Sequence, residues 1–160
     1  MTDRLLITVC LGCLGALIGF AICSRMKRRA EYFADLDGFL SVFSDSLAFT
    51  LDTVPGIMKN YATHTRLLQK QLEACADAIN SGEKADLPSG SLSREEYTFV
   101  SRLLCDLGSR SVPSERSAVA NYRQRLDGYA VKAKNSYERS GKVAVKLGFL
   151  AGMLTAVLCW

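Results

Sequence analysis

The sequence predicts an all-α protein, a cytoplasmic helical bundle held between an N-terminal transmembrane helix and a short C-terminal one. Three observations lead there. Leu5 to Ser24 runs for 20 positions without a charged residue. Between the two apolar ends, apolar residues recur at helical spacing in a normal polar mixture, and no stretch alternates at strand period between hairpin turns. The expected organisation is a transmembrane segment over 1–24, a cytoplasmic helical domain over 25–142 and a second transmembrane segment over 143–160. At 160 residues, 49% hydrophobic and 22% charged, the chain has room for one compact domain besides its membrane segments.

The first element is a helix over Leu5–Ser24. At 1.5 Å per residue it is about 30 Å long, the hydrocarbon thickness of a bilayer. A cleaved signal peptide is the rival reading, but the apolar run exceeds a usual signal core and Arg25-Met26-Lys27-Arg28-Arg29 follows it directly. Apolar positions Leu36, Phe39, Leu40, Phe43, Leu47, Leu51 and Val54 then mark one stripe of a helix continuing from the span, which Pro55-Gly56 breaks or kinks. A second stripe, Tyr61, Leu68, Leu72, Cys75 and Ile79, stops at Asn80-Ser81-Gly82. Residues 83–90 read as a connecting loop. Ser93-x-x-Glu96 offers a capping box for a helix through Tyr97, Val100, Leu104 and Leu107, which Gly108 closes.

The last helix starts near Pro113, with Ser111 or Ser114 as cap, and is expected to run unbroken through Val119, Tyr122, Leu126, Tyr129, Ala133 and Tyr137 into the second span. Leu147–Trp160 has 14 residues, about 21 Å of helix, so its span needs extension to Val143 and a Lys146 amine that snorkels to the headgroups. Four amphipathic helices must satisfy one another as a bundle.

Charge sets the expected orientation. Arg25, Lys27, Arg28 and Arg29 follow the first span and Lys132, Lys134, Arg139, Lys142 and Lys146 precede the second, whereas the N-terminal tail carries Arg4. The middle domain should therefore face the cytoplasm. The net charge of +4 is modest and gathered beside the apolar ends, which suits a membrane surface and not a nucleic-acid stripe. Both spans carry small residues at helix-packing spacing: Gly15 and Gly19 in the first, and Ala144, Gly148, Gly152 and Ala156 in the second. Such faces let helix backbones approach, within the chain or between copies of it, although glycine is also simply frequent in membrane helices.

The residues that carry chemistry are sparse. Cys10, Cys13, Cys23 and Cys159 lie in the apolar ends, and Cys75 and Cys105 sit on helical stripes where a free thiol acts as a small buried hydrophobe. His64 is the one histidine and cannot build a multi-histidine metal site. Gly82-Glu83-Lys84 lacks the upstream glycine of a phosphate-binding loop. No catalytic group, metal site or cofactor is expected.

The span at each end of a helical domain, and above all Gly141-Lys142-Val143-Ala144-Val145-Lys146-Leu147-Gly148-Phe149-Leu150-Ala151-Gly152, resembles the stage III sporulation protein AB family. Leu107-Gly108 and Thr53-Val54-Pro55 add to the resemblance, while Val112 and Arg116 stand where the family pattern has Asp and Gln. The resemblance implies a non-enzymatic membrane component of the mother-cell to forespore channel complex, placed in the outer forespore membrane. It further implies a platform that docks a cytoplasmic secretion-type ATPase and contacts other membrane subunits. Glu95 and Glu96 are the first candidates for that docking surface, with a role in the first turn of their helix as the alternative. Two rival functions stay open: a membrane-tethered regulator or enzyme with a small-ligand pocket, and a secreted helical binding protein.

Overall fold

The computed structural model describes the backbone of residues 2–49, 53–83, 85–109, 112–141, 143, 146–148, 150, 151 and 154, and within these all side chains except those of residues 2–12, 48, 49 and 112. Among the described residues every regular element is helical, so the protein is all-α. The order is α1 (Thr2–Phe49), α2 (Val54–Asn60), α3 (Arg66–Ser81), α4 (Arg94–Asp106) and α5 (Val112–Asn135), which passes into a π-helical turn over Ser136–Gly141. Two compact units emerge, one of residues 1–30 with 132–160 and one of Glu31–Val131. The dividing points fall inside α1 and α5, further into the chain than the boundaries expected at 24/25 and 142/143.

No proline precedes Pro55, so nothing removes a backbone donor from α1 over its 48 residues. In the Glu31–Val131 unit α1 buries Tyr32, Phe33, Leu36, Phe39, Leu40 and Phe43, each at 1% exposure or less. Leu68 and Leu72 of α3, Val100, Leu103 and Leu104 of α4, and Leu126 of α5 complete that core. Aromatic rings tie three helices together: Phe33 stacks on Tyr129 at 6.1 Å, and Phe99 packs on Tyr129 at 5.0 Å and on Tyr122 at 6.1 Å. The bidentate pair of Arg123 with Asp37, at 2.8 and 3.2 Å, fixes α5 to α1.

Pro55 sits in the first turn of α2, where its missing N–H costs nothing, so of the break or kink expected there the structure shows a break followed by a short new helix. Tyr61 and His64 fall in the turn between α2 and α3 and not on a helix. Helix α3 ends in Gly82, whose left-handed φ of 72° lets its N–H reach the Ala78 carbonyl at 2.9 Å. Helix α4 opens with the complete Ser93/Glu96 capping box, and Gly108 follows it at φ 82°. The π-helical turn interrupts the expected unbroken passage from α5 into the C-terminal segment, whose described residues from 143 onward are helical.

Among the described residues no helix is long and apolar enough to cross a membrane. The expected spans lie partly outside those residues: the side chains before Cys13, and Ala144, Val145, Phe149, Gly152, Met153 and residues 155–160.

Candidate functional site

In the unit formed by residues 1–30 and 132–160, glycines decide how closely two helical segments approach. A Cβ added at Gly148 would stand 2.5 Å from the Gly15 carbonyl oxygen and 3.4 Å from the Gly19 Cα, so a side chain there collides with backbone. One helical turn pair away, a Cβ at Gly141 would lie 3.5 Å from the Cys23 sulfur and 3.8 Å from the Met26 sulfur. The structure thus brings Gly148 to Gly15 and Gly19 in an antiparallel seam; Ala144, Gly152 and Ala156 lie outside the described residues. Around the seam Leu17, Ile18, Phe20, Leu147 and Leu154 are 59–65% exposed. Water is a poor solvent for such a surface.

In the Glu31–Val131 unit the polar groups converge on structure. Asp35 is 5% exposed. Its carboxylate accepts from the His64 N–H at 3.0 Å, the Thr65 N–H at 2.9 Å and the Thr65 hydroxyl at 2.8 Å, while the Tyr61 hydroxyl reaches the same residue at 3.2–3.3 Å. One acid on α1 therefore holds the whole α2–α3 turn. Gln71 joins three segments, accepting from the Tyr32 hydroxyl at 2.5 Å and donating to the Pro88 carbonyl at 2.7 Å. Glu115 of α5 takes the Gly108 N–H at 2.9 Å. Its second oxygen has no partner among the described residues.

The two acids proposed for docking separate. Glu95 is exposed, but Glu96 is 1% exposed and its carboxylate accepts the Ser93 N–H at 2.8 Å. Glu96 is thereby corrected from a surface candidate to a helix cap, because its charge is already spent on the N-terminal N–H groups of α4. Cys105 needs a correction too: it lies in the last turn of α4 and is exposed, whereas Cys75 is buried at 3%. Burial first, then the neighbouring Cys105 thiol, pushes the Cys75 thiol up to about 12. Burial likewise holds the Tyr32 phenol far above the ordinary tyrosine range.

An open cleft of about 510 Å³ between α3 and α4 is lined by Cys75, Ile79, Leu104 and Cys105, with Glu83 and Ser101 as its ionic and hydroxyl groups. Those groups form no nucleophile–base arrangement. Among the described residues no cluster of three His, Cys, Asp or Glu side chains is placed to hold a metal ion. The Asp35, Gln71 and Glu115 anchors were missed in the sequence, because the groups they hold lie in other segments of the chain and helical spacing carries no signal for such partners.

A helical head joined in sequence to a small-residue seam with an apolar exterior defines the class: an all-α protein whose terminal segments pair with each other. The family model for Stage III sporulation protein AB matches residues 4–160, and the chain belongs to that family. The family places it in stage III of sporulation. No curated protein and no solved structure matches the chain.

Proposed function

We propose that this chain is a non-enzymatic membrane component of the mother-cell to forespore channel complex, anchored by its paired terminal helices and docking a cytoplasmic secretion-type ATPase through its Glu31–Val131 head. The observation that carries the anchor is the exposed apolar exterior of the seam, with Leu17, Ile18 and Phe20 at 63–65% exposure and Leu147 and Leu154 at 59–61%. In a bilayer those side chains face lipid, and the uncharged run Leu5–Ser24 supplies the length. The basic residues that flank both spans support a head on the cytoplasmic side of the membrane.

The family supports a stage III sporulation role, and the character of the head favours docking as the use made of it. Its buried acids and amide Asp35, Glu96, Glu115 and Gln71 hold turns, caps and segment junctions, and the cleft between α3 and α4 brings no catalytic constellation together. Surface recognition is what such a rigid bundle offers. Glu95, exposed beside the Glu96 cap, is the acidic residue from which to probe the contact. The full chain in lipid nanodiscs, titrated with the purified sporulation ATPase, tests this: saturable binding weakened by Glu95→Lys, with helix content unchanged, is expected. Absence of binding with the spans present would end the docking proposal.

A further inference from the structure

The seam fixes an axial register that gathers the basic residues of both segments into one band. Gly148 lies against Gly15 and Gly19, and Gly141 against Cys23 and Met26, so seven residues along one segment match about seven along the other, antiparallel. That register sets Arg139 level with Met26–Arg28. It sets Lys146 level with Gly19, which at 1.5 Å per residue is about 9 Å nearer the bilayer interior than Arg25. Arg25, Arg28, Lys132, Lys134, Arg139 and Lys146 are all exposed. In the segments that carry them, residues 24–30 and 132–146, the sole acid is Glu138.

Basic residues thus outnumber the acids of these segments, Glu138 and the adjoining Glu31, by a wide margin. We propose that the band is an anionic-phospholipid site, in which Arg25, Arg28 and Arg139 engage headgroup phosphates at the membrane surface and Lys146 reaches up to a phosphate from below. The inference rests on the membrane reading given above and adds a lipid preference to it. Guanidinium groups bind phosphate oxygens in a fork, and a cation seated below the interface extends its four-carbon stem toward the phosphates instead of entering hydrocarbon. Juxtamembrane Lys and Arg clusters attract anionic leaflets, an attraction that salt screens. A free phosphate would leave the neighbouring Leu147, Leu150 and Val143, exposed by 48–59%, without a cover. A phospholipid covers both.

The test reconstitutes the full chain into phosphatidylcholine vesicles containing phosphatidylglycerol and compares motion-restricted spin-labelled phosphatidylglycerol with spin-labelled phosphatidylcholine. Carbonate extraction on the same samples reports integration independently. The expected result is a several-fold excess of the anionic lipid next to the protein, reduced in about 1 M salt. The combined Arg25→Gln, Arg28→Gln, Arg139→Gln and Lys146→Gln chain should lose it while staying integrated, and Lys146→Gln alone should lose part. An integrated wild-type chain with equal shells of the two lipids overturns the lipid site and leaves the anchor standing. Full excess in the integrated combined variant, or in Lys146→Gln if the combined variant does not integrate, overturns it as well. A wild-type chain that carbonate extracts overturns the membrane reading and this site together.

Discussion

Asp35 carries more of the head than any other single polar side chain on α1. Its carboxylate satisfies two backbone N–H groups and a hydroxyl in the turn before α3, and removing it strands those donors in a part-buried turn. Asp35→Ala is expected to destabilise the head by roughly 3 kcal/mol, whereas the exposed Lys59–Asp77 pair should be worth under about 1 kcal/mol. Chemical denaturation of the two variants gives the comparison, and similar losses would deny Asp35 its role. Cys75 and Cys105 make a second pair of unequal residues. At neutral pH a maleimide should modify exposed Cys105 long before buried, protonated Cys75, as peptide mass analysis would read. Because the Cys75 thiol is raised from 9.0 to about 12 in the folded protein, its contribution to stability is complete below pH 9 and is lost as pH rises toward 12. The fall in melting temperature across that window should be shallower in Cys75→Ala, the raised Tyr32 and Tyr61 phenols keeping part of it, and an unchanged profile would contradict the assignment. Local signals were legible at this scale and distant ones were not. The Ser93/Glu96 box could be read because its partners are three residues apart; Asp35 could not, because its partners are 26 to 30 residues away. Cys105 misled because helical spacing says nothing of where the last turn of α4 meets solvent.

Helix existence followed periodicity well, since α1, α3, α4 and α5 each show an apolar stripe that the head buries. Boundaries followed it less well. Tyr61 continues the α3 stripe in spacing, yet its hydroxyl is tied to Asp35 and the backbone there is extended, so the helix waits until Arg66. The π-helical turn at Ser136–Gly141 leaves no mark in the apolar pattern at all. Glycines on helices divide by what a side chain would meet. Gly128 in the interior of α5 has nothing within 4 Å of an added Cβ, so Gly128→Ala should stabilise the protein by about 0.5–1 kcal/mol through helix propensity alone. Gly148 has the Gly15 carbonyl at 2.5 Å. Gly148→Leu should therefore loosen the pairing of the terminal helices by roughly 1 kcal/mol or more, while Leu150→Ile, at an exposed position, should be mild. Interhelical disulfide trapping or pair distances between labels on the two segments would report it. Equal behaviour of the two variants would make the close approach incidental.

For the molecule as a whole, the chain of this stage III family forms two compact units: an apolar, basic-edged pair of terminal segments, and a head whose core is built from α1 to α5. The small residues and the basic flanks of the terminal segments stood out in the sequence. That Gly15 and Gly19 face Gly148 of the same chain did not, because spacing marks a packing face without naming its partner. The central claim is that the terminal segments hold the chain in a membrane with the head in the cytoplasm. Its most direct measurement places one thiol, Ser89→Cys, in the exposed α3–α4 loop of a chain whose six native cysteines are replaced, and treats sporulating cells with a membrane-impermeant maleimide before and after lysis. The protein should resist carbonate and be labelled only after lysis. Labelling of intact cells to the same extent, or release of the protein by carbonate, would contradict the claim.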